Sequence, residues 1–166
     1  MARRGKWRRL DRALLLFLLS FLLYFPLGTW FQGDDFAALA YAVDPARVAA
    51  DFAGPQYGLT RAALFWRPLV TLSFFVEGTF FGADPFWVHL DNALVHGVNT
   101  VLVLLLLGRL LGEGWGTRGA LLWALNPAHI VSVTWAVGRV DVHATFWILL
   151  ALLLHVRRRG GRGSLL

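Results

Sequence analysis

Apolar residues dominate four long stretches of the chain, and more polar segments separate these stretches. The first stretch, 13–31, contains nineteen residues without a charge and would be about 28 Å long as a helix. That length matches the ~30 Å hydrocarbon core of a bilayer. Three further stretches lie at 88–111, 119–137 and 140–156. The pattern predicts an all-α integral membrane protein with four transmembrane helices.

The segment 32–87 has a mixed polar composition and several turn signals, so we interpret it as a loop outside the membrane. Within it, 64–81 is apolar again but is interrupted by Arg67, Pro68 and Glu77. The part after Pro68 would be only about 21 Å long as a helix, which is short for a span. We therefore predict an interfacial or re-entrant helix on the outer face.

Composition and charge agree with this topology. The chain is 57% hydrophobic and 16% charged, which is more apolar surface than a soluble domain of this size can bury. If 64–81 does not span, twelve of the sixteen Lys and Arg lie on the side of the N-terminus, and only Arg47, Arg61, Arg67 and Arg139 lie opposite. The positive side is usually cytoplasmic.

We therefore predict that the basic N-terminus, 1–12, and the basic tail, 157–166, are both cytoplasmic. We expect the membrane to be a bacterial inner (plasma) membrane. The basic start followed by an apolar run is also typical of a signal peptide, but nineteen residues exceed the usual core of about 7–15. The first stretch is thus predicted to stay uncleaved. Clustering of the positive charge at the termini argues against a nucleic-acid partner.

Two carboxylates, Asp34 and Asp35, follow the first apolar stretch directly. They would emerge at the outer membrane surface, where an acidic pair is either a solvated helix exit or part of a site. Adjacent side chains on a helix point ~100° apart, so only one of the two is expected to face a ligand. We favour Asp34, because it lies nearer the bilayer.

Four polar residues form a stripe on the second predicted span. His89, Asn92, His96 and Asn99 are spaced 3, 4 and 3, which places them within about 80° on one face and in the outer half of the helix. Such residues either form hydrogen bonds between helices or face a water-filled cavity. Their number and common depth favour the cavity.

Further polar residues occupy the outer ends of the last two spans. They are Asn126, Pro127 and His129 in the third span, and Arg139, Asp141 and His143 at the start of the fourth. Arg139 and Asp141 alone would suit an interfacial ion pair. Together with the acidic pair, Arg67 and the stripe, they predict one polar site on the outer side. No metal site is predicted, because His89 and His96 are about 10 Å apart along the helix.

An ordered series of motifs resembles a known family. The motifs are Arg67-Pro68-Leu69, then Phe86 with the polar stripe, then Asn126-Pro127-Ala128-His129, then Gly138-Arg139-Val140-Asp141. The series resembles the N-terminal membrane half of the transmembrane and tetratricopeptide repeat-containing O-mannosyltransferases and their bacterial relatives, in the GT-C superfamily. The resemblance runs over about 10–156. The usual His-Pro-x-His of the family reads Asn-Pro-Ala-His in this chain.

The resemblance implies a GT-C-like module that uses a polyprenyl-phosphate sugar as donor, with no other cofactor expected. It implies an Asp of the first outer loop at the active site and inverting transfer to a hydroxyl of an acceptor protein or glycan. On this hypothesis the catalytic residues are Asp34 and Asp35, and the residues that bind substrate are Arg67, His89, Asn92, His96, His129, Arg139 and Asp141. The alternative is a non-enzymatic four-span assembly or transport subunit whose polar stripe packs against another chain.

Overall fold

All regular secondary structure of the described residues is helical. A computed structural model describes residues 2–25, 30–58 and 65–162, with side chains between Arg9 and Arg159. In these ranges the helices are α1 (Ala2–Tyr24), α2 (Asp35–Ala42), α3 (Pro45–Ala53), α4 (Pro68–Phe81), α5 (Pro85–Leu111), α6 (Glu113–Ala124), α7 (Ile130–Thr134) and α8 (Arg139–Arg162). Two short 3-10 helices lie at Gln56–Gly58 and Pro127–His129. The all-α prediction is confirmed.

Helix α5 is the centre of the bundle. Leu16 of α1 and Ala120 of α6 pack against Val103 of α5, and Leu153 of α8 packs against Leu102 and Leu106. Asn99 contacts the start of α8, whereas Leu106 contacts its later turns, so α5 and α8 run in the same direction. Helix α6 runs back along α5 after Gly112, whose φ of 95° is readily adopted only by glycine.

Small residues bring α5 and α6 very close together. A Cβ atom at Gly116 of α6 would lie 2.8 Å from the Cα of Gly108 and 2.8 Å from the carbonyl oxygen of Leu104. Both contacts are to backbone atoms of α5, which cannot move aside as a flexible side chain does. Glycine at this position therefore permits the packing distance, as small residues do between membrane helices.

We expect Gly116→Ala to destabilise the protein by about 1–3 kcal/mol, because the added methyl group forces α5 and α6 apart. Thermal unfolding of the purified protein in detergent measures the effect. Gly114→Ala is the matched control, since nothing lies within 4 Å of a Cβ at Gly114 and alanine favours a helix. Equal losses of stability for the two variants would show that close packing at Gly116 is unimportant.

Two described helices are long and apolar enough to cross a membrane, and they lie at Pro85–Leu111 and Arg139–Arg159. Four such helices were predicted. The first apolar stretch does not form one long helix, because α1 ends at Tyr24 and Trp30 to Gly33 is not helical. Its uncharged helical part, 13–24, is therefore about 18 Å long. Residues 26–29 of this stretch lie outside the described part of the chain.

The third predicted span is also not a continuous helix. Helix α6 ends at Ala124, and the chain is extended at Asn126 before Pro127 begins a short 3-10 helix. Proline lacks the N–H of a continuing helix, and Asn126 Oδ1 accepts a hydrogen bond from the backbone N–H of Ala128 at 3.0 Å. This local turn competes with the helix and separates α6 from α7.

The segment between α1 and α5 forms a small helical layer over the beginning of α5. Leu39 of α2, Phe74 of α4 and Val88 of α5 meet in one buried cluster, which also includes Ala136. Helix α4 begins at Pro68, so the apolar helix predicted at 64–81 starts later than expected, and Leu64 lies outside the described residues. Proline suits this first helical position, since an N–H there would have no partner.

Candidate active site

The two adjacent carboxylates have opposite environments. Asp35 is completely buried, whereas Asp34 is exposed at the N-cap of α2, where its side chain forms no capping hydrogen bond. Asp35 Oδ1 accepts from the backbone N–H of Val137 at 2.9 Å, and its Oδ2 accepts from that of Gln32 at 3.0 Å. Asp35 thus joins the segment before α2 to the turn before α8, and the carboxylate of Asp34 is exposed.

Arg139 is buried and held from several sides. Its Nη1 donates to Ser73 Oγ at 2.9 Å and its Nη2 donates to the carbonyl oxygen of Val88 at 3.0 Å. The Nη2 atom also lies 2.9 Å from Glu77 Oε2, and the guanidinium carbon lies 4.0 Å from the centre of the Phe74 ring. The side chain is 0% exposed. Arg139 therefore joins α4, α5 and α8 from a fully buried position.

Two acidic residues beside Arg139 were not among the predicted site residues. Asp91 Oδ2 accepts from His143 Nε2 at 2.8 Å and lies 3.8 Å from Arg139 Nη2, and Glu77 forms the closer ion pair. Asp91 is the sole carboxylate in 88–111, and an ionisable residue in an apolar span usually has a partner or a function. That signal was present in the sequence, but it did not identify Arg139 and His143 as the partners.

Glu77 gives the protein a specific dependence on pH. Burial raises the pKa of Glu77 to about 7, and the nearby charge of Asp91 raises it further, while Arg139 lowers it. Between the ordinary pKa of a glutamate and about 7, the folded protein holds a proton that the unfolded chain releases.

We therefore expect stability to fall as the pH rises from about 5 to about 7, by roughly 2 kcal/mol. Melting temperatures of the wild type and of Glu77→Gln at three pH values test this expectation. In the variant the melting temperature should fall less between pH 5 and pH 7 than in the wild type, because glutamine does not titrate. Identical slopes would show that Glu77 does not take up a proton in this range.

The polar stripe of α5 is buried against the chain itself. Asn92 Nδ2 donates to the carbonyl oxygen of Trp135 at 2.9 Å and lies near those of Val133 and Ala136, and Asn99 Nδ2 donates to that of Val142 at 2.9 Å. The prediction of a water-filled cavity is therefore wrong for these two asparagines. The reason is that α7 ends in this region and leaves carbonyl groups that need donors.

The two histidines of the stripe have different neighbours. His89 Nε2 donates to the carbonyl oxygen of Trp30 at 3.2 Å. His96 lies among aromatic rings, with ring centres 4.9 Å from Tyr24 and 5.0 Å from His129. His129 also packs on Trp123 at 4.4 Å, and within the described part of the chain the Nε2 atoms of His96 and His129 have no hydrogen-bond partner.

In the small helical layer over the beginning of α5, the charges of Arg67 and Asp34 both act on one tyrosine, Tyr57. Tyr57 is fixed by Asp51, whose Oδ1 accepts from the Tyr57 N–H at 3.1 Å and whose Oδ2 accepts from Thr71 Oγ1 at 2.7 Å. Burial raises the pKa of Tyr57 to about 12, with further shifts from the charges of Asp51, Arg67 and Asp34 among others. Arg67 is half-buried, and its guanidinium lies 4.0 Å from the centre of the Phe65 ring.

The predicted residues thus form separate groups instead of one continuous polar cluster. The exposed Asp34 and the half-buried Arg67 both act electrostatically on Tyr57, while Arg139 is buried with Glu77 and Asp91. His96 and His129 form the aromatic group, and Asp141 is exposed and accepts from Ser132 Oγ at 3.1 Å. Asp51 was missed, because nothing in its local sequence distinguishes a buried carboxylate from a solvated one.

Fold and site together describe a helical membrane protein with an exposed carboxylate, Asp34, and buried, hydrogen-bonded polar residues such as Asp35 and Arg139. Protein O-mannosyl-transferase Tmtc2 of Drosophila melanogaster is 33% identical to the chain over 156 residues, which are 88% of this chain and 17% of the relative. Protein O-mannosyl-transferase tmtc2 of Xenopus laevis is 40% identical over 99 residues, which are 59% of this chain and 12% of the relative. TMTC2 of Mus musculus is 38% identical over the same shares.

The resemblance to the O-mannosyl-transferases is confirmed, and its extension to bacterial relatives stays a prediction. The chain spans less than a fifth of the length of these curated relatives. No protein-family model matches the chain, and no solved structure matches it significantly.

Proposed function

We propose that this chain is a membrane module of a GT-C-type glycosyltransferase that moves a sugar from a polyprenyl-phosphate donor to an acceptor hydroxyl. The observation that carries the proposal is the exposed carboxylate of Asp34. It lies next to Asp35, which is buried and accepts two backbone hydrogen bonds. Similarity to proteins named O-mannosyl-transferases makes mannose the first sugar to test and a protein the first acceptor.

In this mechanism Asp34 acts as the general base. Its carboxylate takes the proton of the acceptor hydroxyl while the oxygen attacks the anomeric carbon of the sugar. The bond between that carbon and the phosphate oxygen breaks, and the polyprenyl phosphate leaves with the electron pair. We assign the leaving phosphate to Arg67, because its charge, like that of Asp34, acts on Tyr57 and because Arg67 is only half-buried, whereas the Arg139 side chain is fully buried.

The remaining predicted residues take supporting or peripheral roles in the proposal. His129, half-buried with an unpartnered Nε2, and the exposed Asp141 are placed to contact donor or acceptor. His89 and His96 line the protein interior behind them, while Asn92 and Arg139 position the turn before α8. We assign Asp35 the same positioning role through its bond to Val137.

We also propose that the uncharged part of α1, 13–24, and the segment 119–137 lie in the membrane, which completes the four-span arrangement with interrupted helices. Leu14, Leu15 and Leu22 of α1 are 58%, 66% and 61% exposed, which is costly in water and favourable in lipid. With both termini in the cytoplasm of a bacterial cell, Ala37→Cys should react with an impermeant thiol reagent from outside and Gly161→Cys should not. The chain has no cysteine of its own.

Saturable binding of polyprenyl-phosphate mannose to the purified protein tests the donor assignment. We expect Asp34→Asn to retain binding and Arg67→Gln to weaken it. The alternative, an assembly or transport subunit, required the polar stripe to pack against another chain. Asn92 and Asn99 instead donate hydrogen bonds to carbonyl groups of their own chain. Absence of any saturable donor binding, together with a stoichiometric partner subunit, would favour that alternative.

A further inference from the structure

Four arginines from three helices surround one cavity at the end of the bundle opposite the acidic pair. Arg9 and Arg12 lie at the start of α1, Arg109 lies in the last turn of α5, and Arg157 lies near the end of α8. The cavity has a volume of about 400 Å³. Because α5 and α8 run in the same direction and α1 begins in this region, residues far apart in sequence meet here.

The cavity has a strong excess of positive charge. Among the residues whose side chains are described, Glu113 is the single acidic one in the lining, and it pairs with Arg9 and with Arg12, the latter at 2.7 Å. Hydrogen bonds from Arg12 and Arg9 lower the pKa of Glu113, so this carboxylate is already engaged. Arg109 and Arg157 are exposed and form no hydrogen bond or ion pair with any other described residue.

The rest of the lining is apolar and belongs to a membrane-length helix. Leu104, Leu105 and Gly108 form the wall of the cavity along α5, which is one of the two helices long and apolar enough to cross a membrane. The cavity therefore has arginine side chains on one side and apolar side chains of α5 on the other, and the apolar surface continues along this helix. A phosphate with attached acyl chains has the same arrangement of charge and apolar surface.

We propose that this cavity binds the phosphate headgroup of an anionic phospholipid. The guanidinium groups of Arg109 and Arg157 hold the phosphate oxygens, and Arg9 and Arg12 complete the positive field around it. The acyl chains lie against Leu104 and Leu105. The site is separate from the proposed donor site, and the inference does not depend on the glycosyltransferase assignment.

The test compares lipid retention by the purified full chain in nanodiscs. Discs of phosphatidylcholine with a small fraction of phosphatidylglycerol are used, and bound lipid is counted by native mass spectrometry. The double variant Arg109→Gln and Arg157→Gln should bind phosphatidylglycerol about 10- to 30-fold more weakly, since each arginine near an anionic lipid contributes about fivefold. Binding of phosphatidylcholine should not change.

The matched control is the double variant Arg158→Gln and Arg159→Gln, which removes the same charge from exposed neighbours that do not line the cavity. It should retain phosphatidylglycerol as the wild type does. Equal losses in both double variants would overturn the proposal in favour of diffuse surface attraction. Inorganic phosphate is titrated in a separate arm, and binding as tight as that of the lipid would overturn the assignment to a lipid headgroup.

Discussion

Arg139→Met is expected to destabilise the protein by about 3–5 kcal/mol, because the substitution removes the cation from a buried ion pair. Glu77 would remain within the fold without its partner, and Ser73 and the Val88 carbonyl would lose their donors. The loss should be largest above pH 7, where Glu77 is charged. Thermal unfolding in detergent at pH 6 and pH 8 measures both effects.

A double-mutant cycle tests whether the pair itself is responsible. Glu77→Gln should reduce the free energy of unfolding less in the Arg139→Met variant than in the wild type. The difference, which is the coupling energy of the two residues, should be about 1–3 kcal/mol. Arg118→Met is the control, since Arg118 is exposed and packs against the exposed Trp115. Additive losses for Arg139 and Glu77 would contradict the description of them as one buried unit.

Asp35→Ala is expected to cost about 2–4 kcal/mol, whereas Asp34→Ala should leave stability almost unchanged. Loss of the Asp35 carboxylate leaves the partly buried N–H groups of Gln32 and Val137 without these acceptors, and it disconnects the segment before α2 from the turn before α8. Asp34 is exposed and its side chain caps no helix. The same unfolding assay, applied to both variants, gives the comparison.

Similar stabilities of the two aspartate variants would contradict this division of roles. A greater loss for Asp34→Ala would reverse it. Hydrogen exchange at the Val137 amide provides an independent measurement, because this N–H should exchange faster in Asp35→Ala and at the wild-type rate in Asp34→Ala.

Spacing alone was sufficient to predict the shared face of the α5 stripe. The asparagines at positions 92 and 99 lie on one side of the helix, as a period of 3.6 residues requires. The partner of that face depends on where α7 ends, which is determined by tertiary packing. A polar stripe has the same sequence pattern whether it faces water or the carbonyl groups of a neighbouring turn.

Helix breaks were harder to predict than helices. A proline such as Pro127 alone predicts a kink, but Asn126 also forms a local turn, and the helix ends before it. The acidic pair shows a similar limit, because adjacency predicts divergent directions without saying which carboxylate is buried. Asp35 is buried since it is the one that reaches the N–H of Val137, 102 positions later in the chain.

The most direct test of the proposed function is the transfer of mannose from polyprenyl-phosphate mannose to an acceptor peptide by membranes that contain the protein. Wild-type protein should transfer the sugar, and Asp34→Asn should reduce turnover at least about 100-fold while donor binding persists. Gly33→Ala does not serve as a control because Gly33 has a φ of 54°. Asp44→Asn is used instead, because Asp44 is half-buried at the N-cap of α3 and asparagine can also cap a helix. Turnover of Asp34→Asn near that of the control would contradict the account.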